Sequence, residues 1–239
     1  MKKAIYLFIL VFFYLPLQVS ASNTHSNSYS KVNNPDVVIN SNSYSKVNNP
    51  DVVINHVYEE ANLKGIIDYQ VFKEGYNAYY NTKGRKKQLL TIIDYSKPST
   101  EKRFFVIDLK RNKLVYNTYV SHGVNSGGRE AKRFSNTVNS RQTSLGTYLT
   151  DTTYYGGNGY SLKLDGLTHG VNDNARRRYI VIHGAKYATE SFIKRNGYLG
   201  RSWGCPALPT GLSPSTLYRN PRGEIRYRII HQAKWVPRA

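Results

Sequence analysis

The spacing of apolar residues changes several times along this chain, and each change predicts a different kind of segment. Residues 4–17 are a continuous apolar run, broken only near its end by Pro16 and preceded by Lys2 and Lys3. The next stretch is dominated by Ser, Asn and Pro and contains the same fifteen residues twice, at 26–40 and 41–55. Two such polar copies are too few to stack as a solenoid and predict a flexible tether. Asn49-Pro50-Asp51 then reads as a helix start, with Val53, Val57 and Ala61 every fourth residue and Gly65 suited to the exit. Phe72, Tyr76, Tyr79 and Tyr80 follow at i, i+4, i+7 and i+8, which predicts a helix over about 68–81. Its aromatic stripe is read as a packing face in preference to a sugar-binding surface.

From residue 89 the helical period disappears. Short runs rich in β-branched and aromatic residues at 89–93, 104–109, 114–120, 145–150 and 179–182 predict strands, with a hairpin turn at 108–113. The Gly-rich stretches 123–128 and 156–159 lack the pattern of a phosphate loop and read as plain loops. The predicted fold is therefore mainly β with short helices, a β-rich domain preceded by a small helical segment. Its expected divisions are 1–21, a cleavable leader; 22–56, the tether; 57–88, a helical lead-in; 89–212, the main domain; and 213–239, a basic tail or closing strand. In that last part only 225–230 has strand character, with Arg226 and Arg228 alternating along it.

The leader reading rests on order. Two lysines, an apolar run and the small residues Val19-Ser20-Ala21 form a secretory signal with cleavage expected after Ala21. Fourteen apolar residues span only about 21 Å as a helix, short of the roughly 30 Å hydrocarbon layer, so no stable membrane anchor is expected after cleavage. The chain carries 34 Lys and Arg against 15 Asp and Glu among 239 residues, a formal charge of +19. Loss of Lys2 and Lys3 with the leader lowers this to +17. An exported protein does not meet genomic nucleic acid, so the charge points to anionic envelope polymers, in the periplasm or elsewhere in the cell envelope. One Cys excludes an internal disulfide and a Cys-rich zinc site.

That single Cys is where chemistry concentrates. His183-Gly184 ends the predicted strand at 179–182, and Cys205 follows in Gly200-Arg201-Ser202-Trp203-Gly204-Cys205-Pro206. A thiol attacks as thiolate, and a nearby imidazole can take its proton and later return one to a leaving amine. This pairing predicts a thiol that ionises more readily than a free one. Gly204 allows close backbone approach, so the amides of Gly204 and Cys205 are candidate oxyanion donors.

The segment resembles the catalytic motif of the L,D-transpeptidases, a His-Gly at a strand end followed by Ser-x-Gly-Cys, here His183-Gly184 and Ser202-Trp203-Gly204-Cys205. It is closest to the murein branch with Gly-Arg-Ser-Trp-Gly-Cys-Pro, which it also resembles at Ser121-His122-Gly123, Phe134-Ser135-Asn136, Ser144-Leu145-Gly146 and Ala175-Arg176-x-Arg178. The resemblance implies acyl transfer on peptidoglycan stem peptides through a thioester on Cys205, with release of a terminal D-residue and transfer to an amine acceptor. It makes His183 the base and the Gly184 carbonyl the group that orients it. Arg201, Ser202, Trp203 and His122 are candidates for substrate contact. Arg176 and Arg178 are candidates for steering. This chemistry calls for no metal and no cofactor. Many family members carry Arg two positions after the Cys; this chain has Ala207, so a carboxylate contact is expected elsewhere, with Arg201 a candidate.

Three other readings compete. Water in place of the amine makes the same site an L,D-carboxypeptidase. A metallopeptidase would draw on Asp165, His169 and Asp173 with His122 and His183, but neither His-x-His nor His-Glu-x-x-His occurs. A non-enzymatic basic wall-binding protein would need only the charge, the tether and the tyrosines.

Overall fold

A computed structural model describes residues 49–84, 88–212 and 229–233. The leader, the first repeat and most of the second, and residues 213–228 and 234–239 lie outside the described residues. Among the described residues no helix is long and apolar enough to cross a membrane.

Two helices come first. Helix α1 (Pro50–Glu60) starts where the side chain of Asn49 accepts the Asp51 N–H at 3.0 Å, with Pro50 in the first turn, where its missing N–H costs nothing. It therefore begins inside the second copy of the repeat and stops at Glu60, short of Gly65. Its buried residues are Ile54, Val57 and Tyr58, followed by Ala61, so the buried face takes in Ile54 and Tyr58 and leaves Val53 at its half-buried margin. Helix α2 (Tyr69–Asn81) is capped by Asp68, whose carboxylate accepts from Gln70 N–H at 2.8 Å and Val71 N–H at 3.3 Å. Its buried Phe72, Tyr76 and Tyr79 pack in one cluster with Leu90, Ile92, Phe105 and Ile107 of the sheet.

The sheet has eight strands: β1 (Leu89–Asp94), β2 (Phe104–Asp108), β3 (Lys113–Thr118), β4 (Gly146–Gly156), β5 (Gly159–Gly166), β6 (Val181–Ala185), β7 (Ala207–Pro209) and β8 (Ile229–Ala233). They lie in the order β3-β2-β1-β8-β4-β5-β6-β7. β8 runs parallel to β1 and antiparallel to β4, so a late segment fills the middle of the sheet and not its edge. β6 and β7 are the other parallel pair, with His183 beside Ala207.

Strand alternation divides the core in two. Leu90, Ile92, Phe105 and Ile107 face the helices, while Ile93, Phe104 and Val106 join Tyr148, Leu164, Ile182 and Ile230 on the opposite side. Both faces of β1 and β2 are buried, which is why those strands read as near-continuous apolar runs. Cys205 packs against the second cluster. Strands β5 and β7 and helix α3 (Glu190–Asn196) were not expected from the sequence. The first mixes Lys163 and Asp165 with glycines, the second is three residues long, and α3 buries no side chain.

Candidate active site

His183 sits within β6, and Cys205 lies just before β7, the strand paired with it. The loop between them is held by a second segment running alongside. Ser121 N–H donates to the Ala207 carbonyl at 2.8 Å, Ser202 N–H to the His122 carbonyl at 3.0 Å, and Val124 N–H to the Ser202 carbonyl at 2.8 Å. Residues 121–124 thus clamp the cysteine loop on both sides of the sulfur.

Inside the loop, Ser202 Oγ donates to the Cys205 carbonyl at 2.6 Å and accepts the Gly204 N–H at 3.1 Å. Ser202 is a turn hydroxyl that fixes the loop's shape. The Gly204 amide, expected as an oxyanion donor, thus already donates to Ser202 Oγ. Gly204 is nonetheless required. Its φ is 123°, and a Cβ there would lie 2.7 Å from the Gln142 carbonyl oxygen.

Cys205 and His183 line a single cleft of about 910 Å³, together with Arg201, Ser202 and Trp203. The His183 Nδ1 lies 3.1 Å from the Gly184 carbonyl oxygen. A carbonyl can only accept, so Nδ1 carries the ring proton and Nε2 keeps its lone pair. The Cys205 thiol lies 3.6 Å from the Tyr179 carbonyl, its hydrogen-bond acceptor.

The protonation states differ from the sequence expectation. Burial pushes the Cys205 thiol above its ordinary range; the Val181 N–H, the Arg178 guanidinium and the residue's own N–H act against this without overcoming it. Cys205 is half-buried, opening to the cleft while packing against the core cluster, and desolvation dominates. Burial also lowers His183, which the Gly184 carbonyl only partly offsets. The thiol and the imidazole therefore both rest neutral.

His122 is not in the cleft. It is fully buried against Arg103, whose Nη2 lies 2.8 Å from His122 Nδ1. Arg103 is also fully buried. It donates to the Val120 carbonyl from Nε and Nη2 and to the Lys97 carbonyl from Nη1, and it stacks over Tyr95 at 5.0 Å. A guanidinium only donates, so His122 accepts at Nδ1 and turns its Nε2–H toward the Gly127 carbonyl at 3.3 Å. Desolvation first, then Arg103, pushes the His122 pKa down to about 4. Gly127 also accepts from Arg201 at 3.4 Å, so His122 touches the site through the loop that holds Arg201.

The arginine run at 176–178 sorts itself by geometry. Arg176 points away from the cleft and pairs with Asp151 at 2.7 Å and Asp165 at 2.6 Å. Arg178 lines the cleft, but its fork is spent on the Ser135 and Gln142 carbonyls and the Ser140 and Ser144 hydroxyls. Arg177, which the sequence did not single out, is exposed and lines the cleft. Arg141 and Tyr187 were missed as well. They come from separate loops, and nothing in local spacing marks them. Tyr187 does carry a signature in the folded state: burial first, then Cys205, pushes its hydroxyl up to about 12. The ligand set of the metal reading is dispersed, with Asp165 on Arg176 and Asp173 on His169 at 2.9 Å and Asn136 at 2.6 Å. Among the described residues no group of three or more His, Cys, Asp or Glu is placed to hold a metal ion.

The family model described as the L,D-transpeptidase catalytic domain matches residues 63–219, well over half of the chain. The chain belongs to the L,D-transpeptidase catalytic-domain family. No curated protein matches it significantly. Among solved structures it is similar to the L,D-transpeptidase from Xylanimonas cellulosilytica, at 14% identity over 74% of this chain and 77% of that one, with a TM-score of 0.34. The assignment rests on the family match. Membership in the L,D-transpeptidases makes this a peptidoglycan-directed domain of the transferase type.

Proposed function

We propose that the protein is an exported murein L,D-transpeptidase that uses Cys205 as its nucleophile. The observation that carries this reading is the shared cleft, in which His183 holds its proton on Nδ1 through Gly184 and keeps Nε2 free to act as a base. Cys205 Sγ attacks the carbonyl of the L-centre that precedes a terminal D-residue, and its proton passes to His183 Nε2. The Cys205 amide N–H faces the developing oxyanion. Collapse breaks the C–N bond, and the imidazolium returns the proton to the departing D-amino acid, leaving a thioester. An amine from a neighbouring stem peptide then attacks, giving its proton to His183; the S–C bond breaks and the thiol is restored.

Incubation with a disaccharide-tetrapeptide, followed by mass spectrometry, tests this. The expected result is an acyl adduct on Cys205, a released D-residue and a cross-linked product. Cys205→Ser should lose at least 10³-fold in rate, on the order of what removal of a catalytic nucleophile costs. Release of the D-residue at an unchanged rate by that variant would overturn the proposal. Trimmed peptide without cross-links would assign the same cysteine chemistry to hydrolysis.

A further inference from the structure

The cleft around Cys205 is lined by four arginines, Arg141, Arg177, Arg178 and Arg201, and by no Asp or Glu among the described residues. Two of them are already engaged. Arg178 is bound by four acceptors, and Arg201 donates to Gly127 and lies over Tyr198 at 5.4 Å. Arg177 forms no hydrogen bond or ion pair with a described residue, unlike Arg176 beside it with two aspartates.

Arg141 is built into place. Its backbone is in the left-handed region, φ 54°, which disfavours any residue with a Cβ by about 1–2 kcal/mol. The Asn125 N–H bonds its carbonyl at 3.2 Å, and the Asn125 amide holds the preceding Ser140 carbonyl at 2.9 Å. Its guanidinium then lies over the exposed Trp203 ring at 4.5 Å. Stacking uses the face of a guanidinium and leaves the N–H fork at its edge for a planar, bidentate acceptor.

We infer that Arg141 and Arg177 form a carboxylate-recognition site that selects a stem peptide whose carboxylates beside the reacting centre are free and not amidated. The ligand chemistry follows from the fork. A carboxylate accepts two parallel N–H bonds and neutralises charge, whereas a primary amide brings its own N–H donors against a cation. The proposal rests on the peptidoglycan reading of the cleft but concerns binding, so it can be tested apart from turnover.

The probes are two disaccharide-tetrapeptides that differ only in whether their stem-peptide carboxylates are free or amidated. Binding to Cys205→Ser, followed by Trp fluorescence or calorimetry, should favour the acid about tenfold. Arg141→Gln and Arg177→Gln in that background should each shrink the preference to threefold or less. Arg129→Gln, which removes an exposed arginine beside Glu130 and away from the cleft, should keep it. Equal affinity for the two peptides, affinity for neither, or equal loss in the Arg129 variant would overturn the inference. Selective binding by a native protein that forms no Cys205 adduct would sink the acyl-transfer reading and leave this one standing. Adduct formation at equal rates with both peptides would do the reverse.

Discussion

Burial moves both Cys205 and His183 toward neutrality, the thiol upward and the imidazole downward. On the proposed acyl-transfer reading, proton transfer then accompanies attack. Iodoacetamide labelling of Cys205 should rise with pH along a curve displaced above that of a free cysteine. Turnover should persist on acidification until the pH falls below the usual histidine range, where His183 finally takes a proton. A labelling plateau at neutral pH would show a stored ion pair instead. Tyr179 bears on the same sulfur. It has φ 55°, an exposed ring in the cleft and the carbonyl that receives the thiol. Tyr179→Gly should keep or raise the thermal midpoint, while Tyr179→Val should cost about 1–2 kcal/mol, because a β-branched residue resists that conformation. At this scale the sequence made Cys205 and His183 legible through residue chemistry and motif order. It hid Tyr179, Arg141 and Arg177, whose roles depend on a left-handed backbone or on loops that meet only in the folded chain.

Elements succeed or fail as partners. Both N-terminal helices were legible because caps and period are local: Asn49 and Asp68 mark the starts, and the Phe72–Tyr76–Tyr79 stripe marks the buried face. The clamp of 121–124 on the cysteine loop was not legible, since its bonds join residues about eighty positions apart. Gly123 shows how tight it is: a Cβ would lie 2.5 Å from the Arg141 carbonyl oxygen and 2.9 Å from the Thr143 nitrogen, both backbone atoms. Gly123→Ala should therefore lower kcat at least tenfold by shifting the cysteine loop, with the Cys205 labelling rate changing in parallel. The Arg103–His122 pair beneath the clamp gives a pH dependence of known sign. The folded pKa of His122 is about 4 against an ordinary 6.5, so the unfolded chain binds the proton first as pH falls. Up to roughly 3 kcal/mol of stability should disappear between about pH 6.5 and 4. Urea unfolding at pH 7 and 4.5 measures it, and His122→Gln should flatten the difference while lowering stability at both.

At the scale of the molecule, the mainly β class and five of the eight described strands were legible from β-branched and aromatic runs, and β8 was expected in part, at 225–230. The order of the sheet was not. Strand β8 pairs with β1 in parallel register, Leu90 opposite Ile229, across some 140 residues, and no local pattern encodes such a contact. Ile230 and Ala233 are buried between strands that no local pattern places beside them. A chain ending before Ile229 should lose its cooperative thermal transition and bind a hydrophobic dye, whereas an edge loss would only lower the midpoint.

The position of that strand also bears on how the protein is made. A ribosome delivers β1 to β7 before β8, so between the synthesis of β7 and that of β8 the sheet consists of two halves, β3-β2-β1 and β4-β5-β6-β7. Each then has a raw flank of unpaired backbone groups at the future seam, a template for unwanted pairing. Native closure waits for the last strand to arrive.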